Sequence, residues 1–88
     1  MIFPMLHLNG TSKGQLLDDW LDMSHALNKA MQEMLDKGPN GRDYYTLGPD
    51  VFTKAQKEHY DRIEKIHAVK AEIDLICEHI ADSEGGRP

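Results

Sequence analysis

The sequence predicts an all-α protein: an antiparallel helical hairpin with an N-terminal extended arm, assembling into an oligomeric helical bundle. Three observations carry this expectation. Apolar residues recur at steps of three and four through two long stretches, the period of an amphipathic helix. A segment rich in Gly, Pro and Asn, residues 38–50, parts the two stretches. The first stretch also carries two apolar rows, and a single partner helix covers only one. The 88 residues read as one domain, with an arm 1–11, a helix 12–37, a loop 38–50, a helix 51–82 and a frayed tail 83–88.

Composition narrows the class. At this length one core leaves a small margin of stability, so association into a homo-oligomer is expected. The net charge is −5, with acids spread along both helices, whereas a surface that coats a nucleic-acid polymer needs a basic stripe. The single cysteine, Cys77, has no intrachain disulfide partner, which fits a reducing compartment. The apolar start Met1-Ile2-Phe3-Pro4-Met5-Leu6 has no basic n-region and is broken by Pro4, so it reads as neither signal peptide nor membrane span. The expected location is therefore cytoplasmic, with no membrane partner, and the glycosylation pattern at Asn9-Gly10-Thr11 is read as a coincidence.

In chain order, Phe3, Met5 and His7 alternate along the arm and are expected to lie in an apolar groove. Ser12 with Gln15 three residues on forms a capping box, and Leu8 is the expected staple. In the first helix Leu16, Trp20, Met23, Leu27, Ala30 and Met34 make a seam, and Leu17, Leu21, Met31 and Leu35 make a second row, expected to be buried only in the oligomer. Gly38 is the expected left-handed C-cap, with Pro39 blocking continuation. Asp50 is the expected N-cap of the second helix. The seam of that helix is Phe52, Ala55, His59, Ile63, Ile66, Val69, Ile73, Ile76 and Ile80, with Cys77 beside it as a small core residue and Glu58–Arg62 as a surface pair.

The loop holds more chemistry than a helical turn requires. Two to five residues suffice for such a turn, yet this one carries Asn40, Arg42, Asp43, Tyr44, Tyr45 and three glycines. The ordinary account is that Asn40-Gly41 makes a tight turn and the tyrosines close the open end of the bundle. The functional account uses Arg42 as a planar fork for phosphate and the tyrosine faces for stacking on a base. His59 and Arg62, near the loop on the second helix, either satisfy a carbonyl and snorkel to solvent or add cationic donors. A second candidate is the corner at the start of the first helix, where Asn9, Thr11, Ser12 and Lys13 surround exposed amides that suit an anion. Within one hairpin the two lie at opposite ends of the first helix, more than roughly 30 Å apart, so a shared site would need two protomers.

Metal and catalytic readings are weaker. Asp22-x-x-His25 and Glu64-x-x-His67 have the spacing of di-iron bundle ligands but fall off the apolar seams, where such ligands project. No nucleophile elbow, HExxH or cysteine pair accompanies the serines and histidines. Neither an enzyme nor a cofactor is expected.

On His7-Leu8-Asn9-Gly10-Thr11-Ser12 and Pro39-Asn40-Gly41-Arg42-Asp43-Tyr44-Tyr45, the chain resembles small phage and prophage proteins that carry both stretches around a helical hairpin. By analogy of size, helicity and pocket type, it is also similar to the anti-CBASS and anti-Thoeris sponges, oligomers that sequester nucleotide immune signals between protomers. What these resemblances imply is a non-enzymatic oligomer that binds a phosphorylated, nucleotide-like small molecule. The alternative is a protein-interaction module docking through its apolar helix face on a host or phage protein.

Overall fold

The structure, a computed structural model, describes residues 1–83, and the expected frayed tail beyond Ser83 lies outside them. It is all-helical among these residues, with α1 at Lys13–Asp36 and α2 at Pro49–Asp82 packed as an antiparallel hairpin. Three cross-links show the direction: Lys13 Nζ donates to the Ser83 carbonyl, Ser24 Oγ to Asp74, and His59 Nε2 is bonded to the Met34 carbonyl. The chain is elongated, 66 × 19 × 16 Å. Its radius of gyration is 19.1 Å, against roughly 12 Å for a compact chain of this length.

Ser12 caps α1 as expected, its hydroxyl accepting from Gln15 N at 3.2 Å. The capping box is only half made, because the Gln15 side chain turns forward to Asp19 Oδ1, 2.7 Å away. Leu8 is exposed and staples nothing. Residues 1–11 have no regular structure beyond a turn in which Gly10 N donates to the His7 carbonyl. Phe3 stacks on His79 with centroids 4.7 Å apart. The alternation differs from expectation, since Pro4 and Leu6 are half-buried while Met5 and His7 face solvent.

The expected register of the first seam is corrected. Leu17, Trp20, Ser24, Leu27, Met31 and Met34 are the positions turned toward α2, with Ser24 3% exposed and Met31 buried. Met23 and Ala30 are exposed instead. The reason is Ser24, which bonds to Asp74 and holds a polar residue on the contact line where the apolar pattern has no place for one. Met31 is therefore buried without a second copy, Leu17 and Leu21 are half-buried, and Leu35 is exposed. The second seam follows expectation except at Val69, which is exposed. Cys77 is buried as expected, and that burial pushes its thiol pKa up.

Both expected caps at the loop are corrected too. Lys37 ends α1 at φ −113°, its N–H donating to the Glu33 carbonyl, and the described residues hold their one positive φ at Gly48, not Gly38. A Cβ at Gly38 would stand 3.0 Å from the His59 ring and 3.3 Å from the Met34 carbonyl oxygen, so a larger residue would have to shift the ring by a few tenths of an ångström. Gly48, at φ 114° and ψ 160°, is the cap of α2, followed by Pro49 in the first turn. Asp50 falls inside that turn, where its charge suits the helix dipole. An added Cβ at Gly48 meets no atom within 4 Å, so Gly48→Ala is expected to cost about 1–3 kcal/mol through backbone strain alone. Thermal unfolding checks this, and an unchanged midpoint would contradict it.

Candidate functional site

Residues 38–48 are more ordered than a connecting loop. Asn40 accepts through Oδ1 from Arg42 N at 3.1 Å and starts a 3₁₀ turn at Gly41–Asp43, and a second spans Tyr45–Leu47. Between them the Tyr44 ring packs on Phe52 with centroids 6.2 Å apart, which ties the loop to the first turns of α2. His59 Nε2 meets the Met34 carbonyl, one of the carbonyls that the end of α1 leaves without a partner. That nitrogen is thus committed within the chain, in line with the ordinary account of His59.

Two shallow clefts flank this end. One, of about 230 Å³, is bordered by Asp36, Asn40, Gln56, His59 and Tyr60. The other, of about 280 Å³, is bordered by Tyr44, Lys54, Glu58 and Arg62 over an apolar floor that includes Ala55. Tyr60 and Arg62 are separated by about 200° around α2, so the clefts open on opposite sides, with Pro39 bordering both. Their electrostatics differ. The first has one carboxylate, Asp36, among amide, imidazole and phenol groups. In the second, Lys54, Glu58 and Arg62 form one row at steps of four, with Arg62 3.6 Å from Glu58 and both mostly exposed. The row carries one net positive charge beside an aromatic ring, an arrangement that fits a planar group bearing an anion.

The expected site residues therefore separate into groups. Asn40 and His59 share the first cleft, and Tyr44 and Arg62 share the second. Arg42, Asp43 and Tyr45 border neither; all three are exposed, and Arg42 has no ion pair among the described residues. Asn9, Thr11, Ser12 and Lys13 sit at the far end of α1, about 36 Å away by helix length. Two of its groups are engaged within the chain: Ser12 Oγ accepts from Gln15 N, and Lys13 Nζ reaches the Ser83 carbonyl at 2.9 Å. Lys54 was missed, although its spacing with Glu58 and Arg62 is plain in the sequence.

Asp22, His25, Glu64 and His67 are all exposed, and no three or more His, Cys, Asp or Glu residues gather into a metal-binding group among the described residues. Among the same residues, no helix is long and apolar enough to cross a membrane. Comparison with known protein families, with curated proteins and with solved structures found no match.

Proposed function

We propose that the chain is a non-enzymatic, oligomeric binding protein whose loop end takes a phosphorylated, nucleotide-like small molecule. The observation that carries this reading is the second cleft, where the Tyr44 ring and the Lys54–Glu58–Arg62 row border one space. Tyr44 supplies a face for a base, Arg62 and Lys54 supply donors for phosphate, and Arg42 and Tyr45 project from the adjacent 3₁₀ turns. Sequestration needs nothing more than this, and no bond-making step is assigned to any residue. A phage-encoded sponge acting in host cytoplasm fits such a role. The Thr11–Ser12 corner is left out of the site because Ser12 Oγ and Lys13 Nζ are engaged within the chain.

Titration calorimetry against cyclic di- and trinucleotides and ADP-ribose derivatives tests the proposal. A charge-assisted hydrogen bond contributes about 1.5–3 kcal/mol, and exposure places these at the low end. Lys54→Ala and Arg62→Ala are each expected to weaken binding about tenfold, while Lys13→Ala leaves it unchanged. Absence of binding across the panel would favour docking on a protein instead. That second reading has its own support in the exposed Arg42, Tyr45 and Leu47, since Tyr and Arg are the residue types that dominate protein interfaces.

A further inference from the structure

We infer that the first cleft, at the C-terminal end of α1, binds a small organic cation: a primary ammonium or guanidinium group on a short alkyl stem. This site is separate from the one proposed above and opens on the opposite side of the hairpin from the Lys54–Glu58–Arg62 row.

The last carbonyls of a helix point beyond its C-terminus and have no partner inside it. In α1 the Glu33 carbonyl accepts from Lys37 N, and the Met34 carbonyl is bonded to His59 Nε2. The next two are left open. Pro39 stands where Leu35 would find its donor four residues on, and proline has no N–H. Among the described residues nothing donates to the Leu35 or the Asp36 carbonyl.

Charge adds to these acceptors. The macrodipole makes this end of the helix negative, and a cation in the last turn is its ordinary complement. The last turn of α1 has no basic residue and holds Asp36 instead. Lys37, just beyond it, is drawn back to Glu33, and Asp36 has no ion pair among the described residues. A carboxylate and two open carbonyls therefore gather negative charge at one helix end.

The cleft gives that charge a shape. Its space, about 230 Å³, is bordered by Leu35 and Asp36 on α1 and by Gln56 and Tyr60 on α2. Tyr60 is 57% exposed, which leaves ring surface open to a cation. Gln56 is half-buried, yet its amide makes no hydrogen bond among the described residues. Leu35 is exposed and offers apolar surface for an alkyl stem. The space is smaller than the roughly 300–1,000 Å³ of pockets for drug-sized ligands, which suits a stem of a few carbons. Open acceptors at its edge favour a cation that carries N–H donors over a quaternary ammonium.

Agmatine, which bears an ammonium and a guanidinium on one alkyl stem, is the probe. Titrated into the full chain, it should bind saturably in the millimolar range or tighter. Amide correlation spectra should shift at Leu35, Asp36, Asn40 and the Gln56 side chain, and not at Lys54 or Arg62. Asp36→Asn keeps the shape, removes the charge and should weaken agmatine about tenfold. Glu72→Gln, at an exposed acid elsewhere on α2, should leave it unchanged, which separates a site from general attraction to a chain of net charge −5. Tetramethylammonium, which has no N–H, should bind several-fold more weakly. Absence of saturable binding, shifts spread over the acidic surface, equal losses in the two variants, or equal affinity for tetramethylammonium would overturn the site. Arg62→Ala should leave agmatine binding intact, so the cation site and the nucleotide site fail separately.

Discussion

Ile80→Ala is expected to destabilise the hairpin by about 2–5 kcal/mol, the range for deleting a fully buried aliphatic side chain. Ile80 is 0% exposed. In a hairpin of two helices no second layer can collapse into the cavity, which favours the upper part of that range. At about 4–8 °C per kcal/mol for domains of this size, the melting temperature should fall by roughly 10 °C or more. Leu75→Ala, on the exposed side of the same helix, is the control and should change stability by no more than about 0.5 kcal/mol. Melts followed by circular dichroism at equal chain concentration keep the effect of association constant. An Ile80 effect no larger than the Leu75 control would show that the α2 terminus does not pack as described.

Asp74→Ala is expected to cost about 2 kcal/mol, because one carboxylate holds two groups in place. Ser24 Oγ donates to its Oδ1 and Lys70 Nζ donates to its Oδ2 at 2.7 Å. Removing it leaves a buried hydroxyl without that partner and loosens the contact line between the helices. Ser24→Ala should cost less, and the double variant should cost less than the two singles added, since both delete the same bond. The bond from Lys70, then that from Ser24, holds the Asp74 pKa below its ordinary 3.8. With the folded pKa depressed, the stabilisation is fully present above the ordinary value and is lost as pH falls through the folded one. Wild type and Asp74→Ala should thus differ most near neutrality, and the gap should narrow as pH falls from about 4 through the folded pKa. A constant gap across that range would assign the cost to packing.

What could be read in advance was what depends on near neighbours. The two helices, the Ser12 cap, the Glu58–Arg62 pair and the burial of Cys77 all follow from spacings of a few residues. The seam of α1 slipped to Leu17–Ser24–Met31 because an apolar pattern has no term for a serine whose partner stands 50 residues away. Gly38 and Gly48 are equally plausible helix caps beside their prolines, and the contact that separates them, His59 against Gly38, crosses the hairpin. The loop residues Arg42 and Tyr44 are neighbours in sequence, yet only Tyr44 borders the cleft with Arg62. Lys13 reads as a free cation until Ser83, 70 residues on, accepts from it.

The cross-links between α1 and α2 also order events in time. Met34 and His59 are 25 residues apart, Ser24 and Asp74 are 50, and Lys13 and Ser83 are 70. Closing a loop twice as long costs about 0.6 kcal/mol more, and each link made shortens the loop that the next must close. On loop entropy alone, closure from the Gly38–His59 end toward the termini is the expected order. In that order Ile80, close to the last link, is expected to gain its packing late. Its replacement should appear mainly as faster opening, whereas damage at the loop should appear as slower closing.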